Sequence, residues 1–296
     1  MSPDTPPKGP AGESPRLWRK IGIASAIMMA SIFLSRVMGL IREMVIAGVA
    51  GADTAVDAYR VAFVVPEILN HILASGFLSV TFIPIFSSYL AEKRDDEGWH
   101  VFSLILTVFG AFLLVLVLVA EIFAPSLIGL LAPGRTDPVF LAMAVRMTRI
   151  ILPAQVFFFA GGLLMAVQFS REQFFIPALA PLVYNLGIIL GGVLLAAFCG
   201  MEGFAWGVLG GSLVGNFAIQ IWGARRIGMR FAPVWQWRHP DLWRYLRLTL
   251  PLMFGLTMMF STEIFTKFFG SYLPPGSIAW IEYAMRIMLM LVAFFG

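Results

Sequence analysis

The run Ser35-Arg36-Val37-Met38-Gly39-Leu40-Ile41-Arg42-Glu43 places two arginines and a glutamate inside a stretch that is otherwise apolar from about residue 21 to 49. A guanidinium is planar, holds its charge at any working pH, and gives paired hydrogen bonds to phosphate oxygens. Two such forks on either side of Gly39 suit a diphosphate group. Arg36 and Glu43, seven residues apart, share one helical face, whereas Arg42 has no evident partner in its own helix. Anion binding is therefore the expectation for Arg36 and Arg42, with structural ion pairing as the alternative.

More charges lie in apolar runs. The basic ones are Arg60, Arg146, Arg149, Lys267 and Arg286, and the acids besides Glu43 are Asp57, Glu67, Glu121, Glu263 and Glu282. A charge at the centre of a bilayer costs about 2.5–3.5 kcal/mol on insertion scales, so deep ones need a partner or water. Helical spacing predicts local pairs for Asp57 with Arg60, Glu263 with Lys267, and Glu282 with Arg286. Arg146 and Arg149 are like charges in a span without an acid, and need a partner elsewhere. So many embedded charges predict a wet interior among the helices. Their sum is small, so charge count alone does not make an anion site.

The elements that must hold these residues follow from composition. Of 296 residues, 59% are apolar and 13% charged, with a mean hydropathy of +0.85. Soluble domains carry about 25% charge, so the bilayer is the expected solvent. A spanning helix needs roughly 20 apolar residues. Eight runs qualify, near 21–49, 57–91, 101–130, 139–167, 177–198, 203–224, 248–271 and 278–296. The second is too long for one straight helix and contains Pro66, Gly76 and Pro84, which predicts a bend or break.

The predicted fold is an all-α, polytopic membrane bundle of about eight transmembrane helices. Its parts are a disordered cytoplasmic tail (1–20), six spans (21–224), a basic cytoplasmic linker (225–247) and two further spans (248–296). The last run reaches Gly296 with no polar flank and reads as truncated. Alternating the loops from a cytoplasmic N-terminus puts thirteen tail and loop Lys and Arg residues on one side and Arg135 alone on the other. This asymmetry predicts a multi-pass membrane protein with its N-terminus in the cytoplasm.

Several chemistries are disfavoured. Cys199 is the sole cysteine and the three histidines are scattered, so neither a disulfide framework nor a metal site is expected. Arg residues alternate with Trp235, Trp237 and Trp243 in the linker. Beside two spans, this pattern predicts contact with anionic lipid headgroups and not with nucleic acid. The acidic run Asp95-Asp96-Glu97 predicts a solvated turn, not a catalytic acid pair.

Taken in order, the motifs resemble the MviN/MurJ family of the MOP flippase superfamily. The first-helix run resembles that family's S-R-x-x-G-x-x-R-[DE]. Asp57-Ala58-Tyr59, Phe82-Ile83-Pro84-Ile85, Ala132-Pro133-Gly134, Arg149-Ile150 with Pro153, and Pro177-Ala178 with Pro181 and Asn185 follow at matching spacing. So do Leu250-Pro251 with Gly255, and Tyr283-Ala284-Met285-Arg286. The chain departs from the pattern at Asn70, Ser75 and Met285, where the family carries charge.

The resemblance implies two helical bundles around a cationic cavity, with 21–224 as a six-helix first bundle and 248–296 as the first two helices of a second. It also implies a transporter, not an enzyme, that flips the undecaprenyl-diphosphate-linked peptidoglycan precursor lipid II by alternating access. By resemblance, Arg36, Arg42, Arg286 and Asp57 are substrate-site residues. Gly39, Glu43, Arg60, Arg149, Glu263, Lys267 and Glu282 support them. No cofactor is implied; coupling to membrane potential or to a Na+ or H+ gradient is. The implied partners are a lipid-linked diphosphate glycan, membrane lipids and cell-wall synthesis proteins, without nucleic acid. Other readings are a flippase for another lipid-linked polysaccharide, a multidrug or ion-coupled exporter, and a membrane scaffold or inactive fragment.

Overall fold

The computed structural model describes residues 15–73 and 81–295, with side chains over 22–71, 81–253 and 260–289. Among the described residues the chain is helical apart from turns and irregular connections, with no strand. The helices are α1 (Pro15–Ala50), α2 (Thr54–Ala62), α3 (Val64–Leu73), α4 (Ile83–Ala91), α5 (Asp95–Leu131), α6 (Pro138–Ile151), α7 (Ala154–Ser170), α8 (Phe175–Cys199), α9 (Glu202–Gly211), α10 (Ile219–Arg226), α11 (Pro240–Gly270) and α12 (Ser277–Phe295). A π-helical stretch, Ser212–Ala218, joins α9 to α10.

Among the described residues, five helical segments are long and apolar enough to cross a membrane: Gly22–Ala50, Asp95–Leu131, Pro138–Ser170, Phe175–Cys199 and Glu202–Arg226. The expected seventh and eighth spans fall on α11 and α12, which are 31 and 19 residues long. At 1.5 Å per residue the shorter one reaches about 28 Å, close to the roughly 30 Å hydrocarbon thickness.

Helix boundaries differ from the sequence reading at two places. The expected tail at 1–20 is already helical from Pro15, because a proline suits the first helical position, where its missing N–H is not needed. Residues 1–14 lie outside the described part, as do Ser75 and Gly76. The expected linker at 225–247 is non-helical only from Ile227 to His239. There the histidine ring accepts from Asp241 N at 3.2 Å and Pro240 opens α11.

Prolines break some spans and leave others continuous. The second run breaks at Phe63, between α2 and α3. Pro66 has no N–H and its ring crowds the carbonyl four residues back, that of Ala62. Thr148 Oγ1 lies 3.3 Å from that freed carbonyl and 2.8 Å from Ala144 O. Pro153 likewise separates α6 from α7, whereas Pro125, Pro181 and Pro251 sit inside continuous helices.

Glycines set the tightest packing. Gly187 and Gly191 of α8 face Gly203, Gly207 and Gly211 of α9 and its end, and a Cβ on Gly207 would lie 2.6 Å from Gly187 O. Small residues every fourth position let backbones meet closely, which replaces the hydrophobic drive that lipid removes.

Two apolar cores result. One joins α3, α4, α5 and α7 with Leu242, Tyr245 and Phe260 of α11. The other joins α2, α6, α8 and α9 with Ile278 and Ala279 of α12. Helices α11 and α12 therefore each pack against helices of the first ten. α1 leans on α8, where Ser31 Oγ donates to Ala178 O at 2.7 Å. Its other face is apolar and exposed at Met29, Phe33 and Met44.

The acidic turn at the start of α5 holds two basic loops. Asp95 accepts from Arg171 at 2.6 Å, and Asp96 accepts from Arg230. Arg94 donates to both oxygens of Glu97, at 2.7 and 2.5 Å. The linker then follows α5, with Ala232 N bonded to Ser103 Oγ and Val234 N to Thr107 Oγ1.

Candidate functional site

The embedded charges do not pair along their own helices as spacing predicted. They exchange partners between helices. Glu43 of α1 is 5% exposed and receives three guanidinium groups. Arg42 Nη2 donates to its Oε1 at 2.9 Å, Arg286 Nε of α12 lies 3.1 Å from that same oxygen, and Arg60 of α2 donates to Oε2. Arg60 Nε also lies 3.3 Å from Glu282 of α12, and Lys267 of α11 pairs with the other oxygen of Glu282. Thus four helices meet through two carboxylates.

Each expected local pair is thereby corrected. Arg60 pairs with Glu43 and Glu282, not Asp57. Lys267 pairs with Glu282, while Glu263 lies beside it. Arg286 pairs with Glu43, not Glu282. A buried carboxylate is best compensated where several donors converge, and donors from separate helices converge better than one neighbour on the same helix.

Arg42 does have a partner in its own helix: the adjacent Glu43. Its long side chain also reaches α8, where Nη1 donates to Asn185 Oδ1 at 3.0 Å. Asn185 is in turn fixed by donating to Pro181 O at 2.8 Å. The rings of Tyr59 and Tyr283 lie 5.9 and 5.4 Å from the Arg60 guanidinium carbon and wall the cluster. Asn185 was legible as a motif residue, but nothing in its spacing tied it to Arg42.

Arg36 stands apart. It is exposed, and among the described residues its side chain makes no hydrogen bond or ion pair. Seven residues from Glu43 on the same face, it lies about 10 Å along the helix axis from that carboxylate. Gly39 lies between them, with open space where a Cβ would stand. Arg286 is 48% exposed at its side chain although it touches Glu43. Glu67 and Glu263 face each other beside Lys267. The acids crowd the Lys267 side, and the cationic character lies on the Arg36, Arg42 and Arg286 side.

Asp57 does not join the cluster. It is fully buried at one end of the bundle. Its Oδ2 accepts from Gly276 N at 2.7 Å and from Arg135 Nη2 at 2.8 Å, and its Oδ1 accepts from Ala279 N at 2.9 Å. Arg135 also donates to Pro274 O at 3.1 Å, Gly134 N to Ser271 Oγ at 2.9 Å, and Tyr283 OH to Gly51 O at 3.0 Å. Gly276 has φ +86°, a left-handed conformation that glycine adopts freely, and no side chain would fit against Ala52 O. Three turns, after α1, after α5 and before α12, are clasped shut there. The sequence marked Arg135 only as the lone base on its side, because the clasp joins residues far apart in the chain.

Arg149 lies outside the cluster as well. Its Nε donates to Glu121 O at 3.1 Å and stands 4.0 Å from the Glu121 carboxylate, half exposed. Arg146 pairs with Glu202 at 2.6 Å. Both find the remote partners their like charge demanded, on the outer side of α6. Among the described residues no group of three or more His, Cys, Asp or Glu is arranged to hold a metal ion.

A family model described as lipid II flippase MurJ matches residues 46–296. A probable lipid II flippase of Buchnera aphidicola subsp. Acyrthosiphon pisum is 31% identical over 266 residues, covering 89% of this chain and 52% of that protein. A lipid II flippase of Burkholderia cenocepacia is 31% identical over 270 residues, with the same two coverages of 89% and 52%. A solved lipid II flippase MurJ in an inward closed conformation matches with a TM-score of 0.74 at 24% identity, over 90% of this chain and 55% of that one. That likeness establishes the fold. This chain spans about half the length of the curated relatives it matches. With its apolar helices and ordered motifs, the chain is a membrane protein and belongs to the lipid II flippase MurJ family.

Proposed function

We propose that this chain takes part in flipping an undecaprenyl-diphosphate-linked peptidoglycan precursor, lipid II, across the bacterial inner membrane. The observation that carries this reading is the shared carboxylate: Arg42 and Arg286, from helices at opposite ends of the chain, both lean on Glu43 while Arg36 stands unpaired on the same face. A diphosphate entering here would compete with Glu43 for the two guanidinium groups and add Arg36. Charge-assisted bonds of this type are the strong ones. Asp57 acts at the other task, holding one end closed. Arg60, Lys267, Glu263 and Glu282 brace the cluster, and Gly39 leaves room beside it.

Alternating access follows if the Asp57 clasp opens when the cluster is occupied. The basic surplus supports a cytoplasmic N-terminus and linker, and in this reading the clasp faces the periplasm. We assign residues up to 224 to one bundle and α11 and α12 to the start of a second, joined by the linker. Moving one charge through 100 mV is worth about 2.3 kcal/mol, so membrane potential or an ion gradient can bias a cycle that moves these charges. Cell-wall synthesis proteins are the partners this activity requires.

The test is binding of a polyprenyl-diphosphate glycan to the purified chain, together with growth of a flippase-depleted strain. Arg36→Ala and Arg42→Ala should each weaken binding at least tenfold and abolish any growth the chain supports. Unchanged binding in both would leave a scaffold reading. Equal affinity for a different lipid-linked polysaccharide would move the substrate, not the mechanism.

A further inference from the structure

A second site lies away from the charge cluster. An open groove of about 630 Å³ runs along α5, α7, the π-helical stretch and α10, and the linker roofs one end. Along α5 it is lined by Phe102, Leu106, Gly110 and Leu114, one helical face at every fourth residue. Twelve residues of helix cover about 18 Å, slightly more than the roughly 15 Å depth of one leaflet's hydrocarbon. The volume lies within the usual 300–1,000 Å³ range of ligand sites. None of the helices that carry the cluster's charges contributes to this lining.

One polar group marks the groove's end. Arg225 lines it beside Met229 and Phe231. Among the described residues its guanidinium makes no hydrogen bond or ion pair, and it is exposed. Its neighbours are otherwise engaged: Arg226 stacks on Trp222 at 3.9 Å, and Arg230 pairs with Asp96. An apolar slot one leaflet deep, ending in a single unpaired guanidinium, matches one acyl chain whose phosphate sits at the slot's mouth. Basic pockets between membrane helices bind anionic headgroups in this way.

We propose that this groove is a binding site for an anionic glycerophospholipid, with an acyl chain against Gly110 and the phosphate on Arg225. A polyprenyl carrier is disfavoured because the slot is short and no cluster helix lines it. Its occupant is a resident lipid that fixes the linker against α5, not the transported cargo.

The experiment is native mass spectrometry of the full chain, purified and delipidated, with phosphatidylglycerol, phosphatidylcholine of the same acyl chains, and undecaprenyl phosphate. Phosphatidylglycerol should bind at least tenfold more tightly than phosphatidylcholine. Arg225→Gln should erase that preference, while Arg226→Gln should keep it. A Cβ on Gly110 would have 3.8 Å of room to Phe159, so Gly110→Leu should fill the slot and weaken both phospholipids. Circular dichroism would check that this variant keeps its helices; should it lose them, the Arg225→Gln result alone decides. Retained preference in Arg225→Gln, equal loss in Arg226→Gln, or tighter binding of undecaprenyl phosphate than of phosphatidylglycerol would each overturn the proposal.

Discussion

Asp57 of α2 caps the N-terminus of α12, 219 residues away, by accepting from Gly276 N at 2.7 Å. The same carboxylate accepts from Ala279 N and Arg135. One buried group therefore holds three segments at one end of the bundle. A hydrogen bond to a charged group contributes about 1.5–3 kcal/mol, so removing the carboxylate should shift the clasp strongly toward open. In a Cys199→Ser background, Asp57→Ala should raise labelling of Ser277→Cys by a membrane-impermeant maleimide at least tenfold. Labelling that stays at the parent rate would show that packing alone holds this end.

Glu43 offers a graded test, because its partners differ in exposure. The Arg60 side chain is 5% exposed and that of Arg286 is 48% exposed. Breaking a buried pair costs about 3–5 kcal/mol, whereas an exposed pair is worth about 0–1 kcal/mol. Double-mutant cycles on thermal unfolding should give a coupling of several kcal/mol between Glu43→Gln and Arg60→Gln, and under about 1 kcal/mol between Glu43→Gln and Arg286→Gln. Equal couplings would mean that Arg286 is held as firmly as Arg60 and is not available to a ligand.

The sequence made some of this legible and hid the rest for a physical reason. Apolar length and proline placement located α1, α5, α8 and the break beside Pro66, because those signals act within one helix. Arg36, Arg42 and Arg286 were singled out because charge in lipid is costly wherever it sits. Partner choice was not legible. Helical spacing offers Glu282 to Arg286, but the fold brings Glu43 to Arg286 and leaves Glu282 to Arg60 and Lys267. Spacing also offered Arg60 to Asp57, whose carboxylate instead holds a helix N-terminus from the far end of the chain.

Arg149 separates cluster membership from mere embedding. It matches a family motif, yet it sits against Glu121, half exposed and outside the cluster. Arg149→Ala should leave binding of a polyprenyl-diphosphate glycan unchanged, where Arg42→Ala weakens it at least tenfold, and any stability cost should come from Glu121 losing its basic neighbour. A loss of binding in Arg149→Ala comparable to Arg42→Ala would bring the outer side of α6 into the site.

The glycine seam sets where the cluster's far wall stands. Asn185, which receives the Arg42 guanidinium, lies two residues before Gly187 on α8. A Cβ on Gly207 would press to 2.6 Å from Gly187 O, against backbone that has no rotamer to yield. Overpacking of this sort costs about 1–3 kcal/mol and shifts backbone. Gly207→Ala should therefore lower the melting temperature and also weaken diphosphate binding, by moving Asn185 away from Arg42. Gly210→Ala, where a Cβ would meet nothing within 4 Å, should do neither. If Gly207→Ala destabilises the chain and binding persists at parental affinity, Arg42 keeps its position without α8, and its anchor is Glu43 alone.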